Sequence, residues 1–264
     1  MELQLEKTSV VITGGASNIG RSIVLGFAEE KAKITLADTD VSQAEIVASE
    51  AIELGAESVT VVECDVTNGK NVDKMFSEVV AHNGTVDVLV NNVGYDELKY
   101  FTQTDPEFWR KIIEINFIGV LNCTYSALSI MASQNHGSIV SISSDASRQG
   151  EPKEAVYGGM KAGVNSFMKT IAKENGRHGI RCNVVCPGVT IPAEPHAVGG
   201  NSMWSDMDSM FTVEQLEKIA NSLPLKKIGR PKDVANAVLF LASEAAGHVT
   251  GQVLSVSGGY SMIG

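Results

Sequence analysis

The sequence predicts an α/β chain: one doubly wound, parallel, seven-stranded sheet with helices on both faces. Three observations lead there. Short apolar runs alternate with amphipathic helical stretches along all 264 residues. That is the signature of successive βα units, whose parallel sheet needs cover on both sides. A glycine-rich turn, Gly14-Gly15-Ala16-Ser17-Asn18-Ile19-Gly20, joins the first strand to the first helix. Polar residues able to do chemistry then recur at the carboxyl ends of strands, which is where open α/β sheets bind ligands. No repeat, linker or low-complexity segment interrupts the series, so residues 1–264 read as one domain.

The first strand is Thr8 to Thr13. The turn after it has the strand–glycine–helix context of a dinucleotide site. Gly14 permits the tight turn and Gly20 permits close helix–strand packing. The helix RSIVLGFAEEKA offers free N–H groups and a positive dipole end to a pyrophosphate. The second strand, Lys33 to Ala37, ends at Asp38. A carboxylate there accepts hydrogen bonds from ribose hydroxyls and repels a 2′-phosphate, which points to NAD. The alternative is that Asp38 caps a turn. A helix from Val41 to Leu54 leads to the third strand, Ser58 to Glu63. Asp65, just past its tip, either meets an adenine amino group or caps a helix, with Val66 beside it.

After a helix around Val72 to Ala81, the fourth strand, Val86 to Val90, ends in Asn91-Asn92-Val93-Gly94. Two Asn before a Gly suit backbone pinning and close approach to a ligand. Tyr95 to Thr104 is a loop, and Asp105-Pro106 opens a long helix toward Met131. Asn116 is polar among its isoleucines; it is either a structural hydrogen bonder or part of a proton path.

The fifth strand, Gly137 to Ile142, precedes the stretch Ser144 to Lys161. Tyr157 and Lys161 sit one helical turn apart on one face. An ammonium beside a phenol is expected to lower its pKa, so that Tyr157 exchanges a proton with an alcohol oxygen. Ser144, at the strand end, can hydrogen-bond that oxygen. The bland alternative is a surface Tyr and Lys on an amphipathic helix. That helix runs to about Arg177, and the sixth strand, Gly179 to Cys186, ends Pro187-Gly188. Residues 189–223 carry Pro192, Pro195, Met203, Trp204, Met207, Met210 and Phe211, a composition suited to a substrate lid or to a hairpin on a neighbouring subunit. Pro231 opens the last helix, and Gly251 to Val256 is the seventh strand.

Net charge of −10 argues against nucleic-acid binding. No apolar run reaches transmembrane length, so no membrane span is expected. Cys64, Cys123, Cys182 and Cys186 lack metal-ligand spacing and read as reduced core residues of a cytoplasmic protein, with no metal. The N-terminus lacks the shape of a signal peptide.

Taken together, Thr13-Gly14…Ile19-Gly20, Asp38, Asp65-Val66, Asn91-Asn92-Val93-Gly94, Asn116, Ser144, Tyr157-Gly158-Gly159-Met160-Lys161 and Pro187-Gly188 resemble the short-chain dehydrogenase/reductase family over nearly the whole chain. The resemblance implies a Rossmann-type fold and hydride transfer between a secondary alcohol or ketone and a nicotinamide. Tyr157 would be the acid/base, Ser144 would polarise the oxygen, Lys161 would hold the ribose and tune Tyr157, and Asn116 would hold a relay water. Gly14, Ser17, Asn18, Ile19, Asp38, Asp65, Val66, Asn92, Gly94, Pro187, Gly188, Val189 and Thr190 would meet NAD together with Tyr157 and Lys161.

Closer similarity in Asn91 to Asp96, Ser144 to Gly150, Glu154 to Tyr157 and Gly251 to Gly259 points to 2-hydroxycyclohexanecarboxyl-CoA and (hydroxybenzyl)succinyl-CoA-type dehydrogenases. That implies a CoA thioester substrate, aromatic-acid breakdown, and a homotetramer or a heterotetramer with a related chain. Tyr95, Asp145, Arg148 and Trp204 are then expected near the substrate. Arg148 is equally readable as a helix cap or an intersubunit ion pair. Two departures stand out. Asn18 replaces the middle glycine of the turn, and Pro192 stands where many members have Thr. The competing readings are a β-ketoacyl reductase or other alcohol dehydrogenase, and a non-catalytic subunit of a hetero-oligomer.

Overall fold

A computed structural model of the chain describes residues 2–192, 197–200, 202, 205 and 212–262. Seven strands, β1 Ser9–Thr13, β2 Lys33–Asp38, β3 Ser58–Glu63, β4 Val88–Asn91, β5 Gly137–Ile142, β6 Ile180–Pro187 and β7 Val253–Val256, form one sheet in the order β3-β2-β1-β4-β5-β6-β7. Every pairing is parallel. The chain winds outward from β1 toward β3, then returns to lay β4 on the other side of β1. The carboxyl ends of β1 and β4 therefore diverge into a crevice at the switch point.

The helices are α1 Asn18–Glu29, α2 Val41–Leu54, α3 Gly69–Asn83, α4 Pro106–Ile113, α5 Gly119–Gln134, α6 Ala146–Gln149, α7 Ala155–Asn175, α8 Val213–Ser222 and α9 Pro231–Ala242. Parallel strands buried on both faces have continuous apolar runs, and β1 is buried at all its positions. One face packs Ile23, Phe27, Val234 and Val238 of α1 and α9; the other packs Met75, Val120, Met131, Val164 and Met168 of α3, α5 and α7. All four cysteines are free and buried. Burial pushes the Cys64 thiol up to about 11 and Cys182 up to about 12, so neither is a reactive thiolate.

Strands β3 and β5 and helix α2 keep the bounds expected from their patterns, and β2 runs one residue further, to Asp38. Three differences follow from geometry that hydrophobic periodicity does not encode. The helix after the fourth strand is broken by a π turn over Glu114–Ile118, which contains Asn116. A short helix, α6, follows Ser144. The helical run 106–134, π turn included, is long enough to cross a membrane and holds an 18-residue window apolar enough to do so, of mean hydropathy 1.4. In the fold its apolar side is spent on the sheet: Ile112, Val120, Cys123, Ala127 and Met131 are all buried.

Candidate active site

The switch-point crevice is built from backbone first. Asn92 donates its Nδ2 to Thr13 O (3.1 Å) and Gly14 O (2.8 Å), tying the β4 tip to the glycine turn. Thr13 Oγ1 answers by accepting Asn92 N–H at 3.1 Å. Gly14 has φ +65°, and a Cβ there would meet Asn92 Nδ2 at 3.1 Å. A Cβ on Gly20 would lie 1.9 Å from Gly14 O, so only glycine closes this turn. Asn18 sits at φ +47°, the left-handed region that Asn tolerates best among side-chain-bearing residues. The turn therefore survives loss of its middle glycine. Asn18 is buried and its Oδ1 has no hydrogen-bond partner. Ser17 Oγ donates to Ser202 Oγ at 2.9 Å, and Ile19 lies in the first turn of α1.

Asp38 ends β2 facing the same turn. Its Oδ2 accepts Ala16 N–H at 2.9 Å and its Oδ1 accepts Asp40 N–H at 3.0 Å. Both expected roles are thus compatible: the carboxylate shapes the turn and keeps a lone pair on each oxygen for a ribose. Asp65 Oδ1 accepts from Thr67 N (2.9 Å) and Thr67 Oγ1 (2.8 Å), a local turn at an exposed position, with Val66 buried beneath it. The glycine cradle, the unpartnered amide oxygen of Asn18 and the carboxylate at the β2 tip fit a dinucleotide lying across the ends of β1, β2 and β4.

On the other side of the crevice stand the expected catalytic residues. Ser144 follows β5; its Oγ accepts Ala146 N–H at 3.1 Å, and its hydroxyl lies near enough to the Tyr157 phenol to act on it. Lys161 is 2% exposed and donates from Nζ to Ile142 O at 3.0 Å, with Nζ 5.5 Å from the centre of the Tyr157 ring. Gly94 lets the β4 loop pass close by: a Cβ there would be 3.1 Å from Lys161 Nζ and 3.3 Å from Asn116 Oδ1. Asn116 is fully buried and its amide is engaged throughout. Nδ2 donates to Tyr95 O (2.7 Å) and to Ile112 O (3.0 Å), and Oδ1 accepts Tyr95 N–H (3.2 Å). In this state Asn116 is a clamp on the β4 loop, and the π turn is what brings its side chain there.

Electrostatics corrects one expectation. Tyr157 is pushed up, first by burial and then by the charges of Glu154 and Asp96, with only the Ser144 hydrogen bond opposing. Lys161 is pushed down to about 8 by burial. The ammonium does not lower the phenol here because its own desolvation and the two carboxylates outweigh it. Tyr157 is a neutral phenol in the protein alone, ready to donate.

Asp96 and Glu154 received no role from the sequence, although both lie in stretches that carried the closer resemblance. Asp96 is 9% exposed with Oδ2 unpartnered, and burial, added to by the Glu97 charge, pushes it up to about 6. Glu154 is pushed up to about 7 by burial, then by Asp96 and Glu151. The one signal available in the sequence was the spacing of Glu154 from Tyr157 on a helix face.

The remaining expected residues divide. The Tyr95 hydroxyl donates to Glu97 Oε1 at 2.5 Å, and Lys111 Nζ lies 3.9 Å over its ring. Asp145 is 1% exposed, donates its N–H to Pro187 O (3.0 Å) and accepts from Ser255 Oγ (2.8 Å), which ties together the β5–β7 tips, while its Oδ1 has no partner among the described residues. Arg148 is half-buried on α6, and its charge is felt at Asp145. Gly188 N–H donates to Val256 O at 3.1 Å, and Thr190, buried, donates from Oγ1 to Gly188 O at 3.2 Å. Pro187 and Val189 flank them at the β6 end. Trp204 and most of the expected lid's apolar run, Met203, Met207, Met210 and Phe211, lie outside the described residues.

Comparison with known proteins agrees with this fold. A family profile described as "Enoyl-(Acyl carrier protein) reductase" matches residues 14–261. A 3-oxoacyl-[acyl-carrier-protein] reductase of Staphylococcus epidermidis is 34% identical over 96% of this chain and 99% of its own length. A 3alpha-hydroxysteroid dehydrogenase of Mediterraneibacter gnavus is 32% identical over 98% of each. Among solved structures, a short-chain type dehydrogenase/reductase from Mycobacterium marinum superposes with TM-score 0.88 at 25% identity, covering 99% of this chain and 98% of that one. One from Mycobacterium ulcerans gives 0.88 at 28% identity, covering 97% and 90%.

Proposed function

The chain belongs to the short-chain dehydrogenase/reductase family, and from that premise we propose that it is an NAD-dependent dehydrogenase of a β-hydroxyacyl-CoA with a cyclic or aryl acyl part. The observation that carries the reaction is the grouping of Ser144, Tyr157 and Lys161: Ser144 follows β5, Tyr157 and Lys161 lie one turn apart on α7, and Lys161 Nζ is 5.5 Å from the centre of the Tyr157 ring, beside Gly94 at the tip of β4. The choice of NAD rests on Asp38, whose carboxylate would face a 2′-phosphate as a like charge. The thioester rests on the loop resemblance given above and on the naming of a relative for 3-oxoacyl substrates.

A bound nicotinamide supplies the hydride exchange with the carbinol carbon. The chain supplies the rest. Ser144 and Tyr157 both hydrogen-bond the substrate oxygen, so that negative charge on it is stabilised as the carbon–oxygen bond order changes. In reduction Tyr157 donates its phenolic proton to that oxygen; in oxidation it accepts the proton back. Lys161, fixed by Ile142 O, would hold the ribose of the bound nucleotide, and it stabilises the phenolate whenever Tyr157 has given its proton. Asn116 holds the Tyr95 backbone in place and borders Lys161 through the gap at Gly94.

The test is NADH formation from NAD⁺ with linear, cyclohexane-ring and aryl-succinyl β-hydroxyacyl-CoA esters, with NADP⁺ in parallel. Turnover of a ring-bearing thioester with NAD⁺ alone is expected. A second reading, β-ketoacyl carrier-protein reduction, is favoured by the Staphylococcus epidermidis relative. It is chosen instead if NADPH-dependent reduction of a 3-oxoacyl carrier protein is faster. Silence everywhere, with no NADH binding, would favour the non-catalytic subunit suggested by Asn18.

A further inference from the structure

The loop 95–100 and the loop 150–154 meet over Tyr157, joined by Lys99 N–H donating to Lys153 O at 3.2 Å. Each contributes carboxylates, and these divide into two kinds. Glu97 is neutralised: it accepts from Lys99 Nζ at 2.6 Å, lies 3.5 Å from Lys111 Nζ and accepts the Tyr95 hydroxyl. That holds it down at about 2. Glu151 accepts the hydroxyl of Tyr260 from the C-terminal segment. Asp96 and Glu154 have no ion-pair partner among the described residues. Both lie near the catalytic pair: Gly94, two residues before Asp96, packs against Lys161, and Glu154 stands three residues before Tyr157 on the same helix, so that Asp96 raises Glu154 and both raise Tyr157.

A buried acceptor without a donor is rare, and each one calls for an explanation. Asp96 Oδ2 is one, on a side chain more than nine-tenths buried. The backbone holding it is not free to turn it elsewhere. Tyr95, its neighbour, is locked to Asn116 by two hydrogen bonds, and Gly94 is wedged against Lys161. Glu154 stands at the N-cap of α7, three residues before Tyr157, and its side chain makes no capping hydrogen bond. The loop that carries Asp96 is therefore held in place next to Lys161, with a buried acceptor left over.

We propose that Asp96 and Glu154 are specificity residues: they accept a hydrogen bond from a hydroxyl or amine on the substrate next to its carbinol, and they reject a carboxylate in the same place. This rests on the hydroxyacyl reading and narrows it. Desolvating a donor onto a waiting acceptor is favourable, whereas a second anion beside two carboxyl groups is repelled in a site of low dielectric. An apolar group there would leave Asp96 Oδ2 unpaired and falls between the two.

The test uses three matched thioesters with the full-length protein and NAD⁺: 3,5-dihydroxypentanoyl-CoA, 3-hydroxyhexanoyl-CoA and 3-hydroxyglutaryl-CoA. They place a hydroxyl, a methyl and a carboxylate, respectively, at comparable reach beyond the carbinol. For the native protein kcat/KM is expected to fall in that order, with at least ten-fold between first and last, mostly in KM. Asp96→Asn and Glu154→Gln are each expected to shrink the hydroxyl-to-carboxylate ratio at least five-fold. An equal or inverted order in the native protein overturns the proposal, and so does an unchanged ratio in both variants. Glu154 is only half-buried, so Glu154→Gln keeps the test open if Asp96→Asn does not fold. Failure of the hydroxyacyl reading looks different: all three esters are then silent while an NADH fluorescence titration still saturates.

Discussion

The two halves of the crevice are stabilised in opposite ways. Around the glycine turn, the polar groups that matter are bonded to backbone: Asn92 to Thr13 and Gly14, Asp38 to Ala16 and Asp40. Across the crevice, between β4, α6 and α7, charged side chains are buried next to one another, and Asp96 keeps an unpaired oxygen. The first half is a scaffold whose backbone shape is already held without a ligand, with the Asn18 Oδ1 left unpartnered. The second holds groups at a cost in stability, and such groups are the ones a substrate can use. The difference suggests where a common reaction ends and the choice of substrate begins.

The sharpest way to break that comparison is at the residue both halves serve. Tyr157→Phe removes the proton donor and keeps the ring, so kcat should fall roughly 10²–10⁴-fold, the usual contribution of a positioned acid/base. NADH affinity, measured by fluorescence titration, should change little. Activity within ten-fold of the native protein would remove Tyr157 from the chemistry and leave Ser144 without its partner.

Next comes the scaffold half. Asp38→Asn keeps an acceptor for the turn but removes the charge. The NAD⁺ over NADP⁺ preference in kcat/KM should drop on the order of ten- to a hundred-fold, the size of one like-charge contact. A preference that does not move would mean that Asp38 only shapes the turn, through Ala16 and Asp40.

The substrate half should respond in stability and with a defined sign. Glu154 has a folded pKa of about 7, raised above its ordinary value by burial first and by Asp96 and Glu151 next. The native state therefore binds the proton more tightly than the unfolded chain. Stability falls as pH rises from about 4.5 through about 7, then levels off. Glu154→Gln abolishes that term, so the variant should gain on the native protein as pH rises from 5 to 8, by on the order of 1–3 kcal/mol. Urea unfolding at the two pH values measures it. An equal gain at pH 5 and pH 8 would mean that the carboxylate is solvated and that the wall stores no charge.

Much of this architecture was legible in the sequence, for physical reasons that differ by residue. Strands such as β2 and β5 are short, β-branched and buried on both faces, so composition alone marks them. Gly14, Gly20 and Asp38 were legible because a tight turn and a strand tip restrict which residue types fit. The π turn at Glu114–Ile118 was not, since its side-chain pattern is that of an ordinary helix and only the pull of Tyr95 on Asn116 distinguishes it. Asp96 and Glu154 were not, because their burial arises when two loops distant in the sequence close over Tyr157. The direction of the Tyr157 shift was misjudged for a related cause: its neighbour at four residues was visible, while its burial, the largest cause, and the Asp96 carboxylate on a distant loop were not.

The smallest expected effect concerns Asn18, and it sharpens what kind of half the glycine turn is. If shape is what matters there, the conformation at φ +47° should outweigh the side chain's chemistry. Alanine in the left-handed region costs roughly 1–2 kcal/mol, partly offset by removal of the unpartnered Oδ1. Asn18→Ala should therefore lower stability by about 1 kcal/mol, a fall of about 2–4 °C in Tm for a chain of this size. Asn18→Gly relieves the backbone and should stay within about 0.5 kcal/mol of the native protein. NADH affinity should follow the same order, alanine weaker and glycine near native, because a cradle that keeps its backbone keeps its N–H groups pointed at the pyrophosphate. A tighter NADH complex by ten-fold or more in Asn18→Gly would reverse the conclusion. The amide would then be crowding the cofactor, and the glycine turn would be the compromised half of the crevice.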